Sequence, residues 1–177
     1  MKTIFTVDLE DWNHGLHIED KSHTSAYQAA DILGLLNDNG VKAIYYVLGR
    51  FKEDWPGHVD YIKSCGHIIK SHGQNHYSWE EADRKPYSWL GPTGGFYMRF
   101  LPYWLWKFFV KLYGVAYIHP HDLDEDHPKL SNHIMNWKRH VGLKTARKKL
   151  ERLLKEVQFE NPLHLLWKED KVSVQQV

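Results

Sequence analysis

An α/β fold with parallel strands is predicted by three features of this chain. Short apolar, β-branched runs recur at Thr3–Val7, Val41–Leu48 and Gly66–Lys70. Helical patterns fall between them, and polar residues suited to chemistry follow the first and third runs. Strand and helix alternating at this spacing imply βαβ units with right-handed crossovers. The functional edge is then the carboxyl end of the strands.

The first run leads into Asp8-Leu9-Glu10-Asp11-Trp12, three carboxylates within four positions. A helix N-cap with acids in its first turn is the bland reading, but Trp12-Asn13-His14-Gly15 makes a poor helical turn. Ser25–Asn39 reads as a helix with Ala26, Ala29, Ala30, Leu33 and Leu36 inward and Gly40 as its stop. Asp54 is placed as the cap of a second helix running to Ser64, with Pro56 in its first turn and Gly66 at its end.

The third run ends in Ser71-His72-Gly73-Gln74-Asn75-His76. Two histidines four apart usually mean a helical metal site. Gly73 and Asn75 argue instead for a strand-end loop that folds both imidazoles toward one point. Such a pair, joined by a carboxylate and a water, suits zinc first, with cobalt, nickel or iron as alternatives.

Downstream, Tyr77–Gly95 is turn-rich, and Leu101–Tyr113 is predicted as an aromatic helix started by Pro102. Its apolar residues wrap nearly all round, which favours a buried core helix over one packed on a membrane or partner. Val115–His119 is the next strand, again ending in a histidine. His119, facing the acids and His72/His76 across one edge, is the preferred general acid, with His121 the alternate. Asp122 or Asp124 is placed to hold the imidazole tautomer. Asp122–Gly142 reads as a polar connection, in which Lys138, Arg139 and His140 either steer an anionic ligand or form solvated surface. Leu143–Val157 is a helix, Gln158–Glu160 a final strand, Leu163–Trp167 a last turn, and Lys171–Val177 a tail.

The 177 residues are expected to form one domain spanning 1–177. A formal charge of +1 gives no case for nucleic acid or an anionic membrane. A single cysteine, Cys65, excludes an internal disulfide. No signal-peptide core and no run of membrane-spanning length is present, so a cytoplasmic enzyme is expected.

Val7-Asp8-Leu9-Glu10-Asp11-Trp12, Ser71 to His76 and Ile118-His119-Pro120, in that order, resemble the polysaccharide deacetylase family (NodB homology, carbohydrate esterase family 4). The segment from Trp137 to Leu143 resembles its Asp-x-Glu-Asp branch. The resemblance implies a distorted (β/α) barrel. With only 42 residues between His76 and His119, that barrel is expected to be contracted or incomplete. It also implies a metal-dependent de-N-acetylase acting on an amino sugar of a surface glycan or its lipid-linked precursor.

In this reading Asp8 is the base and His119 the acid. His72 and His76 hold the metal with Glu10, or with Asp11 as its rival. Arg84, in a loose match to an Arg-x-Pro motif, orients the catalytic aspartate. Trp104 or Trp106 helps to form the acetyl pocket. Contraction of the middle section is expected to leave the Trp104 and Trp106 segment in want of a partner chain, hence a homo-oligomer. The alternatives are hydrolysis of another C–N bond, cyclic amide or formyl, and a deacetylase-like protein without activity.

Overall fold

The computed structural model describes residues 3–16, 22–74, 82–83 and 91–163. Its frame is a parallel sheet of β1 (Ile4–Leu9), β2 (Ala43–Val47), β3 (Ile68–Ser71) and β4 (Val115–Ile118), ordered β3-β2-β1-β4. Among the described residues the sheet has four strands and stays open, so the barrel is incomplete. The strand before His119 thus lies directly beside the strand that carries Asp8.

Side chains alternate across the pleat with a period of two. Phe5, Val7 and Leu9 of β1 and Tyr45 and Val47 of β2 join the large core. That core is closed by α1 (Ala26–Asp38), α2 (Gly49–Asp54), α3 (Pro56–Ser64), α4 (Gly95–Phe100), α5 (Tyr103–Tyr113) and α7 (Leu143–Glu156). On the opposite face Ile4, Ile44, Tyr46 and Ile68 form a smaller cluster. Thr6, Asp8 and Glu10 are out of phase with the core residues of β1, and all three are buried.

β1 runs two residues past the predicted Val7, which puts Asp8 on the strand itself. Asp54 is not a cap but the last residue of α2, and Trp55 occupies the N-cap of α3. Three helices were not expected: α2, α4, and α6 (His133–His140) within the connection read as polar. α6 is capped by the Asn132 carboxamide, which accepts the Met135 amide.

α5 corrects the expectation of a core helix. Only Trp106 and Val110 are buried, while Trp104, Phe108 and Leu112, spaced four apart, face outward. Gln158–Glu160 contributes one parallel bridge, Thr3 to Phe159, rather than a strand. Cys65 is half-buried at the end of α3. Most of Leu163–Trp167 and all of Lys171–Val177 lie outside the described residues. Among the described residues no helix is long and apolar enough to cross a membrane.

Candidate active site

The strand period decides how the acids are dealt out. Asp8 and Glu10, two apart, share one face of β1 and are 3% and 4% exposed. Asp11 falls out of that phase, and its carboxylate is consumed by the loop. Oδ1 accepts the amides of Trp12 (2.8 Å) and Ser25 (2.7 Å), and Oδ2 accepts the Thr24 hydroxyl at 2.5 Å. Asp11 therefore ties the β1 loop to the start of α1 through both of its oxygens.

β3 delivers His72, whose amide donates to Val47 O across the sheet edge. Its Nε2 stands 4.0 Å from Asp8 Oδ2. Gly73 (φ +83°) turns the loop, and its carbonyl accepts the Gly49 amide at the start of α2. His76 and Arg84 lie outside the described residues.

From the other side β4 delivers His119. Nε2 is 3.7 Å from Asp8 Oδ2 and 3.7 Å from Glu10 Oε1. Nδ1 and the backbone amide both face Asp122 Oδ2, at 3.2 and 2.8 Å. Asp122 closes a 3-10 turn, Pro120–Leu123, that begins right after His119. Burial alone would lower the His119 pKa. The bond to Asp122 and the charges of Asp122, Glu10 and Asp8 outweigh it and leave the value raised. For Asp122, burial pushes upward, but the His119 bond and the Arg99 charge hold the carboxyl well below the usual range. His121 stacks on His119 with ring centres 4.7 Å apart, and burial keeps it neutral. Asp124, the other candidate partner, is spent on His23 Nε2 (2.6 Å) and the Ser25 hydroxyl.

Arg99 is the residue that sequence reasoning missed. It is 4% exposed, donates from Nε to Asp122 Oδ1 at 3.0 Å, and donates from Nη1 to the carbonyls of Lys138, Arg139 and Val141. The basic cluster at the end of α6 thus contributes its backbone to the site. A signal was available: Arg99 is a lone charge in the stretch 91–106, four residues after a Gly-Gly pair. Gly95 has a concrete reason, since a Cβ there would overlap the Asp122 carboxylate.

Trp106 is sealed in the core with Nε1 donating to Thr93 O, and so offers no surface to an acetyl group. Trp104 is 67% exposed on the outer face of α5.

Comparison with known proteins bears on this constellation. The polysaccharide deacetylase profile matches residues 16–88, and that of a domain of unknown function (DUF3473) matches 88–166. The match to the polysaccharide deacetylase family is thus confined to the first half of the chain. A crystal structure of a mutant CE4 family pseudoenzyme with restored enzymatic activity is similar at 12% identity and TM-score 0.42. The alignment covers 85% of this chain and 63% of that one, so this chain spans less than two thirds of that protein's length. No curated protein sequence matches significantly.

Two sets of donors in this protein bear on a metal. His119, His121 and Asp122 have ligand atoms within 4.8 Å of one another. That set fits a cation poorly, because Asp122 already carries Arg99 and the guanidinium would repel a metal. Asp8 and His72, 4.0 Å apart, offer an oxygen and a nitrogen donor of the kinds that suit zinc, cobalt, nickel or iron, and the buried Glu10 follows on the Asp8 side of β1.

Proposed function

We propose that this protein is a metal-dependent hydrolase that removes the N-acetyl group from an amino sugar of a surface glycan or its lipid-linked precursor. The observation that carries the reading is the two-sided placement of His119. Its Nε2 faces Asp8 and Glu10, while its Nδ1 is tied to a buried Asp122–Arg99 pair. That is how an imidazole is fixed in one tautomer with one nitrogen left for proton transfer.

Glu10 and His72, with His76, are assigned as ligands of a divalent metal, zinc first. Bound there, the metal supplies Lewis acidity for a water and for the amide oxygen. Asp8 Oδ2 takes the proton of the attacking water. His119 Nε2, protonated, gives a proton to the leaving amine nitrogen, and Asp122 stabilises the resulting charge distribution through Nδ1–H. Arg99 keeps Asp122 ionised and in place, and is a positioning residue.

Acetate release from chitooligosaccharides and bacterial lipid-linked glycans, with and without Zn²⁺ or Co²⁺, tests the function. Metal-stimulated release is expected. No release from either substrate class with metal bound would leave the non-catalytic alternative standing. The metal assignment has its own test. Purified protein is expected to carry about one metal per chain, dropping sharply in His72→Ala. Unchanged metal in that variant removes the site.

A further inference from the structure

The exposed apolar side chains of this protein are gathered rather than scattered. Of eleven large hydrophobic side chains exposed among the described residues, eight lie on α4, α5 and α6. On α5 the row Trp104, Phe108 and Leu112 is at least half exposed, and the half-exposed Phe100 ends α4 four residues before Trp104. Four residues of chain span at most about 14 Å, so the two groups adjoin. Phe100 packs edge-on against Trp137 of α6, with ring centres 5.8 Å apart. Trp137 and Ile134, one turn apart, are themselves exposed. A single exposed apolar residue needs no explanation, but a gathering of this size marks a surface that something covers.

Charge identifies the cover. The formal charge of +1 is an average over unevenly distributed groups. No Asp or Glu occurs between Asp83 and Asp122, or between Asp126 and Glu151, and these two stretches contain all three helices. Lys107 is balanced by Glu156 of α7 at 2.7 Å. Lys111, next to Leu112, and Lys138, next to Trp137, are exposed and have no ion pair among the described residues.

We propose that this face docks on an anionic lipid bilayer, with the aromatic row among the headgroups and the lysines on lipid phosphates. Tryptophan and phenylalanine set beside lysine suit a membrane interface, where the rings enter the acyl boundary. The lysine stems run along the apolar surface and leave their ammonium groups at the anionic headgroups. A second copy of the chain fits worse. Two-fold pairing sets one patch against itself, and lysine would then meet lysine with no acid on any of the three helices to answer it. The face joins the support of the site, since Arg99, beside Phe100, holds Asp122 and donates to the Lys138 carbonyl. Docking does not depend on the hydrolase reading, because none of its side chains is assigned a part in proton transfer or metal binding.

The test is co-sedimentation of the full chain with vesicles of phosphatidylcholine, or of phosphatidylcholine and phosphatidylglycerol in equal parts. Wild type is compared with the paired substitutions Trp104→Ser and Phe108→Ser, and Lys111→Gln and Lys138→Gln. Wild type is expected to bind the mixed vesicles at least about 10-fold more tightly than the neutral ones, and more weakly as salt is raised. Each lysine near an anionic surface contributes roughly 5-fold, so the lysine pair should lower affinity for mixed vesicles about 25-fold. The serine pair should lower affinity for both vesicle types at least about 10-fold. All four positions are exposed, so melting temperatures should stay near wild type. Quenching of wild-type tryptophan fluorescence by brominated phosphatidylcholine in the mixed vesicles reads insertion without any variant. No wild-type binding or quenching, equal binding to the two vesicle types, or undiminished binding in either folded pair overturns the bilayer. A dimer in sedimentation velocity that the serine pair dissolves, with vesicles left unbound, overturns it too and assigns the face to a second copy.

Discussion

At the scale of single residues, each acid in the proposed site is assigned a distinct job, and substitution separates them. Asp8→Asn keeps shape and removes the proton acceptor, so activity should fall roughly 10²–10⁴-fold while bound metal, measured by elemental analysis, stays near wild type. If that variant loses its metal and Glu10→Gln keeps it, the two roles must be exchanged. Asp122→Asn should behave differently, since it disturbs a buried pair as well as His119. Removing one partner of such a pair costs about 3–5 kcal/mol, so both unfolding free energy and turnover should drop. Strand alternation was available in the sequence to place Thr6 and Asp8 on one face of β1, because residues two apart share a face. The partner of Asp122 was not legible: Arg99 and Asp122 meet only after α4 packs beneath the turn that follows β4, and no local pattern encodes that contact.

At the scale of elements, the strands were the most legible part. Each is a β-branched or aromatic run, and tertiary packing moved its ends by only one or two residues. α5 was misread because its composition is apolar all round while its environment is not. Periodicity reports what a helix is able to bury; the chain packed against it decides what is buried. The difference is measurable. Trp106→Ala empties a fully buried site and should cost about 3–5 kcal/mol in urea unfolding. Trp104→Ala, at an exposed position on the same helix, should stay within about 0.5 kcal/mol of wild type. α4 and α6 were missed because neither carries a long apolar period. α4 is held at its end by Lys149, whose ammonium donates to the carbonyls of Met98, Arg99 and Leu101, and α6 ends on Arg99.

At the scale of the whole molecule, several histidines are buried in neutral form, which gives stability a pH dependence of defined sign. Burial lowers His67 to about 4, with Lys42 adding to it. Burial also lowers His127 to about 4, with Arg139 adding to it and the bond to Pro128 O opposing it. Between pH 6.5 and 4 the unfolded chain therefore binds more protons than the folded one, so stability falls as pH drops through that window. Each group contributes at most about 3 kcal/mol. Urea midpoints should decline steeply from pH 7 to 4.5, and the slope should be shallower in His67→Gln. A flat profile in wild type would contradict the burial of these rings.

The strand order has a further consequence, for assembly during synthesis. β1 is made first yet ends up between β2 and β4, and β4 follows it by more than 100 residues. Pairing of β1, β2 and β3 brings Asp8 and His72 together while one side of β1 is still a bare edge. The half of the site assigned to the metal can therefore form on a nascent chain before the half that holds His119 exists. Until Val115–Ile118 is available to zip onto Ile4–Val7, that edge is a template for pairing with other chains. Such a long-range closure is slow by its topology, and a metal taken up early would hold the first half in register while the last strand is awaited.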